Sequence, residues 1–301
     1  MTADQYLHGI LLREAVDAGP NSPLLGVQTT LMPVLRQWAG DNLVGVYPSG
    51  SFMKGTAVRS GTDIDLLLSL SEDTSGTLKE VYNRLFDCLT SAGYSPRRQN
   101  VSLNITVAAG AKAPVIGDLG GTAGSRALTQ GSNPSGTTSK ANDQMASIYS
   151  VDLVPAKRQN ALSSDHSLYR RRADTWTKTN ISTHARTVVG AGRADEIRIV
   201  KLWRNQKGLD FPSFYLELSV IRALAQRPLP GLVAYNPQPT LVQRVMMVFD
   251  YLVEAFPAAR IADPANSNNI ISDDLTAQEK ARVSAAANAA REAPWWEEIV
   301  R

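Results

Sequence analysis

The sequence predicts an α+β protein, a mixed α/β lobe carrying a β-sheet followed by a C-terminal helical lobe. Three observations carry this reading. Strand-like and helix-like patterns alternate over the first half, and from about residue 195 the apolar spacing becomes mostly helical. Residues 49–65, S-G-S-F-M-K-G-T-A-V-R-S-G-T-D-I-D, join a Gly-Ser turn to an aspartate pair that opens an apolar run. The expected division is a core over 1–190 and a helical lobe over 191–301.

Residues 22–38 set Leu24, Val27, Leu31, Val34, Leu35 and Trp38 at helical spacing. A strand follows at about 43–47, then the Gly-Ser turn and a strand begun by Asp63-Ile64-Asp65 and continued by Leu66 to Leu68. Leu78, Val81, Tyr82, Leu85 and Leu89 mark a second amphipathic helix, and residues 101–107 alternate as a half-buried edge strand does. Residues 108–145 hold seven glycines and little periodicity, too long a stretch for an ordinary loop in a compact domain. We expect a mobile surface excursion between two adjacent strands, a linker in preference to a substrate lid. S-I-Y-S-V-D-L-V-P at 147–155 reads as a strand closed by Pro155. Helices are expected at 195–206, 214–226 and 240–256, and a last one is opened by Thr276 with Glu279 completing a capping box.

Alternation in a strand sends residues i and i+2 to one face, so Asp63 and Asp65 project together while Ile64 and Leu66 enter the core. Two carboxylates this close repel unless a cation lies between them. Hard oxygen ligands suit Mg²⁺ or Mn²⁺, completed by water and phosphate oxygens. Upstream, Gly50 permits a turn that presents N–H groups to an anion, and Ser51 adds a hydroxyl. Asp152 stands within an apolar strand, a rare place for an acid. Beside the Asp63–Asp65 strand it completes three carboxylates able to hold two metal ions. Its competing reading is an ion pair with Lys157 or Arg158. The chemistry indicated is phosphoryl-type transfer.

Gly-Ser, eleven residues, Asp-x-Asp and a distant strand aspartate resemble the polymerase-β-type nucleotidyltransferase superfamily. Within it the chain is most similar to the bacterial CD-NTases, relatives of cyclic GMP–AMP synthase and oligoadenylate synthase that serve anti-phage (CBASS) signalling. The segments that carry this likeness are G-S-F-M-K-G-T-A-V-R, D-I-D-L-L-L, V-D-L-V-P-A, E-I-R-I-V-K-L-W-R, P-S-F-Y-L-E-L, D-P-A-N-S-N-N and P-W-W-E-E-I. The resemblance implies that Asp63, Asp65 and Asp152 bind two metals and that Gly50 and Ser51 cradle phosphates. It implies further that Lys201 and Ser213 hold the triphosphate and that Phe214, where tyrosine is frequent, stacks on a base. Asn268 and Asn269 match a loop that closes near the active site. Read alone, Lys201 is a helix-flank lysine that snorkels to water, Ser213 an N-cap, and the Asp263–Asn269 segment a turn. The implied product is a cyclic di- or trinucleotide made from nucleoside triphosphates such as ATP and GTP. It would act on a downstream effector, with regulatory proteins encoded in the same operon.

At 43% apolar and 20% charged residues the composition is that of a soluble globular protein, and no apolar stretch reaches the ~18 residues that span a membrane. M-T-A-D-Q at the start lacks the basic-then-apolar build of a signal peptide, so a cytoplasmic, monomeric enzyme is expected. A single cysteine, Cys88, excludes an internal disulfide and a cysteine-based zinc cluster. Net charge of +3 is too small to argue by itself for nucleic-acid binding. The Arg97-Arg98 pair and the Arg170–Arg172 run are either solvated surface or the lining of a triphosphate entrance. Two other readings stand beside the cyclic-nucleotide one. They are transfer to an RNA end or small-molecule acceptor, and a non-catalytic nucleotide-binding protein.

Overall fold

The computed structural model describes residues 1–17, 19, 22–61, 63–108, 148–225 and 239–301. Its first half contains α1 (Ala3–Arg13), α2 (Pro23–Ala39), β1 (Leu43–Pro48), α3 (Gly50–Lys54), β2 (Ile64–Leu70), α4 (Leu78–Ser91), β3 (Arg97–Arg98) and β4 (Leu103–Ala108). After the undescribed stretch come β5 (Ile148–Arg158), β6 (His166–Arg170) and β7 (Thr175–Thr179). The sheet runs β1-β2-β5-β4-β3, with β6 and β7 added on the C-terminal half of β5. β2 and β5 are parallel and the other pairs antiparallel.

Alternation gives this sheet two different faces. Ile64, Leu66 and Leu68 of β2, Leu103, Ile105 and Val107 of β4, and Val151 and Leu153 of β5 pack on Val27, Leu31, Leu35, Tyr82, Leu85 and Leu89 of α2 and α4. Residues of the opposite parity point away from those helices, and Asp65 and Asp152 are among them.

The strand at 147–155 does not stop at Pro155 but runs to Arg158. The proline is tolerated because of where it falls. β4 pairs with β5 only as far as Leu153, pairing with β6 begins at Ala156, and Pro155 lies in the gap where no ladder donor is needed on that side. Nor is the 101–107 strand an edge, because the two residues of β3 cover β4. The expected excursion at 108–145 lies outside the described residues apart from Ala108, which pairs with Ile148 across the adjacent strands β4 and β5.

The second half is helical, with α5 (Ile181–Gly190), α6 (Ala194–Gln206), α7 (Ser213–Ala225), α8 (Leu241–Glu254) and α9 (Ala277–Glu292). Thr276 and Glu279 form the expected capping box of α9. A separate core gathers Trp203, Phe211, Tyr215, Phe249 and Phe256 from these helices and their connections. α1 joins it from the start of the chain, burying Leu7, Ile10 and Leu11 there. The Asp263–Asn269 segment, read as a turn, is a small hairpin of β8 (Ala262–Asp263) and β9 (Asn266–Ile270). Among the described residues no helix is long and apolar enough to cross a membrane.

Candidate active site

Asp65 and Asp152 are register partners on parallel strands, so their Cα atoms stand about 5 Å apart and their side chains share a face. Asn104 continues the row as partner of Asp152 on β4, and its amide donates to Asp152 Oδ1 at 2.8 Å. Asp63 was expected to share the strand. It lies one residue ahead of β2, whose ladder with β5 starts at Ile64, and it is exposed. Among the described residues no three acids, histidines or cysteines converge tightly enough to cage a metal. Two carboxylates in register, with Asp63 at the rim, form the acidic centre.

Burial first, and then the charge of Asp152, raise the Asp65 carboxyl from 3.8 to about 7, with Lys54 opposing and Asp63 adding. Burial also lifts Asp152, where hydrogen bonds from Asn104 and Gln99 oppose it and Asp63 adds to it. Mutually repelling hard oxygen donors of this kind fit Mg²⁺ or Mn²⁺, which need only one or two carboxylates. Gly50 closes the Asp65 end of the row. Its φ is +56°, and a Cβ there would lie 1.7 Å from Asp65 Oδ2. The backbone therefore comes as near the carboxylate as glycine permits, and Ser51 follows in the first turn of α3.

Behind the acids lies a buried ionic cluster. Glu217 of α7 accepts from Lys54 at 2.6 Å, Lys201 at 2.6 Å and the Thr56 hydroxyl at 2.7 Å. Burial raises the Glu217 carboxyl, but Lys201 and Lys54 outweigh it and hold the group below its ordinary range. Lys201 also donates to Thr56 Oγ1 at 3.0 Å and to Thr56 O at 3.3 Å. Its three N–H groups thus all have partners, and a phosphate could be held only by exchange with one of them. Ser213 begins α7, exposed, and its hydroxyl accepts from Arg204 at 3.0 Å. Phe214 lies under Lys54 at 4.7 Å and against the His184 ring at 4.3 Å.

No protein-family profile matches the chain, and no curated protein does. Solved structures do. CdnC of E. coli MS115-1 with ATP is 17% identical, covers 99% of this chain and 97% of its own, and has a TM-score of 0.63. The CdnE cyclic dinucleotide synthase of Elizabethkingia meningoseptica with GTP and Apcpp is 14% identical over 95% of this chain and 97% of its own, at 0.57. Cid1 poly(U) polymerase with MgGTP is 11% identical over 96% and 93%, at 0.53. The fold is that of the polymerase-β-like nucleotidyltransferases. It is the fold shared with the CD-NTases, and it spans nearly the whole chain.

On this nucleotidyltransferase fold the remaining site residues occupy a second region. Asp263 accepts from His184 Nε2 at 2.7 Å and from Asn269 at 3.3 Å. Asn268 and Asn269 line a cleft of about 640 Å³ with Arg170, Trp176 and Lys178. Contacts run from Lys54 through Phe214, His184 and Asp263 to this cleft, which links it to the acidic centre. Sequence reasoning missed Asn104, Gln99, Lys54, Thr56, Glu217 and His184. A signal existed for Glu217: it interrupts the apolar run Leu216-Glu217-Leu218, as Asp152 interrupts its strand.

Proposed function

We propose that the chain is a metal-dependent nucleotidyltransferase of the CD-NTase kind, joining nucleoside triphosphates, ATP or GTP among them, into a cyclic di- or trinucleotide. The observation that carries this reading is the register pairing of Asp65 with Asp152 beside Gly50. Asp65 and Asp152, with Asp63 at the rim, would hold Mg²⁺ or Mn²⁺, which when bound neutralises triphosphate charge and favours departure of pyrophosphate. Gly50 and Ser51 offer backbone and hydroxyl donors to the donor's phosphates. Lys54 and Lys201 add positive charge behind the acids, and Phe214 offers a ring to a base. Asp152, hydrogen-bonded by Asn104 and raised by burial, accepts the proton of the acceptor ribose hydroxyl. The hydroxyl oxygen bonds to the donor α-phosphorus as the bond to pyrophosphate breaks, and a second such transfer closes the ring. The product would serve as a second messenger for a separate effector in CBASS defence, in the cytoplasm, with control by proteins of the same operon.

Fold likeness to Cid1 poly(U) polymerase favours a second reading, transfer to an RNA end. Purified protein incubated with labelled NTPs and Mg²⁺ or Mn²⁺, then treated with phosphatase, separates the two. A small phosphatase-resistant product is expected. Labelled RNA, appearing only when an RNA acceptor is added, would replace the cyclic reading with the second one.

A further inference from the structure

The row of cross-strand partners continues beyond Asn104. β3 sets Arg97 opposite Asn104 and Arg98 opposite Leu103. Leu103 faces the helix-covered core and Asn104 the acidic side. Arg97 therefore shares the face of Asp65 and Asp152, and Arg98 turns to the other. The contacts of Arg98 agree: it lies over the Phe86 ring at 3.9 Å and donates to Asn83 of α4 at 2.7 Å. Arg97 is exposed, and among the described residues its guanidinium has no hydrogen bond, ion pair or ring contact. Two strand spacings, about 10 Å, separate its backbone from that of Asp152.

The backbone carrying Arg97 is held from two sides. Tyr82 donates its hydroxyl to Gln99 O at 3.1 Å and Ser102 O at 2.9 Å. Arg171 donates through Nε to Gln99 O at 3.1 Å and through its backbone N–H to Asn100 O at 2.8 Å, so the two arginine runs meet here. Asn104 flanks Asp152 on this side, and Arg97, whose guanidinium has no partner among the described residues, stands just beyond.

The two ends of the row differ. Gly50 closes the Asp65 end, which leaves the donor's phosphates there and the acceptor at the Asp152 end. An acceptor whose ribose hydroxyl lies at Asp152 carries its 5′-phosphates one sugar width away. We propose that Arg97 binds the 5′-phosphates of the acceptor nucleotide in the first transfer, and so favours a nucleoside triphosphate over an unphosphorylated nucleoside as acceptor. This rests on the nucleotidyltransferase reading above.

The test separates donor from acceptor. A 2′,3′-dideoxynucleoside triphosphate has no hydroxyl to attack with and serves as donor only. Acceptors are offered with a 5′-hydroxyl, a 5′-monophosphate or a 5′-triphosphate, in all four bases, and kcat/KM is measured for each. Wild type should improve along that series. Arg97→Ala should lose about tenfold with the triphosphate acceptor and little with the 5′-hydroxyl one, flattening the series. Arg97→Lys should keep part of the preference. Arg98→Ala, one residue away on the other face, should leave it intact. An Arg97→Ala series as steep as that of wild type overturns the assignment while leaving the parent reading in place. Absence of any transfer by wild type would instead sink the parent reading, and this one with it.

Discussion

Burial beside Asp152 gives Asp65 a proton affinity near neutrality, and its contribution to stability has the opposite sign to that of a salt-bridged acid. The folded value of about 7 lies above the unfolded 3.8, so the folded state binds the proton more tightly. That contribution is complete below about pH 4 and is lost as the pH rises through about 7. Asp152, also raised, works in the same direction. In the presence of a chelator, wild type should therefore lose stability between pH 5 and pH 8, with Asp65 accounting for roughly 2–4 kcal/mol. Asp65→Asn should flatten this dependence while abolishing turnover. Urea midpoints at the two pH values check the first part, and equal slopes for both proteins would show that the Asp65 carboxyl is not raised in the folded state. At Gly50 the constraint is steric. Gly50→Ala puts a methyl 1.7 Å from Asp65 Oδ2 at a φ of +56°. It should cost about 1–3 kcal/mol, with at least ~100-fold lower turnover because the carboxylate must move. A variant as active as wild type would show that Asp65 can be displaced without penalty.

Among elements, α3, α6 and α7 are tied by one buried carboxylate. Replacing Glu217 with Ala leaves Lys54 and Lys201 buried without a counterion and should destabilise the fold by about 3–5 kcal/mol, read from denaturant unfolding. Adding Lys54→Met should recover part of that loss, and a strictly additive double mutant would mean that the lysine and the glutamate do not interact. These elements also show what was legible in the sequence. α2, α4, α6, α7 and α8 were readable from apolar residues at helical spacing, and α9 from its Thr276–Glu279 capping box. α1 was overlooked although Thr2 and Gln5 spell a capping box. The β6–β7 hairpin was hidden because its end and turn begin in the basic run Arg170–Arg172, which reads as surface. At the site, Asp65 and Asp152 were legible as acids in apolar strands. Their pairing, and the place of Asn104 and Arg97 in the same row, depends on register, which no local pattern encodes across the long separation between β4 and β5.

Over the whole molecule two hydrophobic cores meet through the ionic cluster, with Lys54 and Thr56 supplied from the sheet side and Lys201 and Glu217 from the helical side. Wild type should accordingly unfold in one transition whether followed by tryptophan fluorescence or by far-UV dichroism. Lys54→Met should reduce the coupling and bring the sheet and helical signals apart. Coincident transitions in that variant would place the coupling elsewhere, in the packing of α1 for example.

Ala108 and Ile148 face each other as the outermost rung of the β4–β5 ladder. The described residues stop at Ala108 and resume at Ile148, and the Cα atoms of these two stand only about 5 Å apart. Four residues at about 3.3 Å each put Ile148 roughly 13 Å along the strand from Asp152, and Ile148 is 71% exposed. An environment-sensitive dye on a cysteine at position 148, in a Cys88→Ser background, would sit close enough to brighten or dim when a nucleotide arrives. The ladder's last rung is thereby a ready-made optical port on the acidic centre.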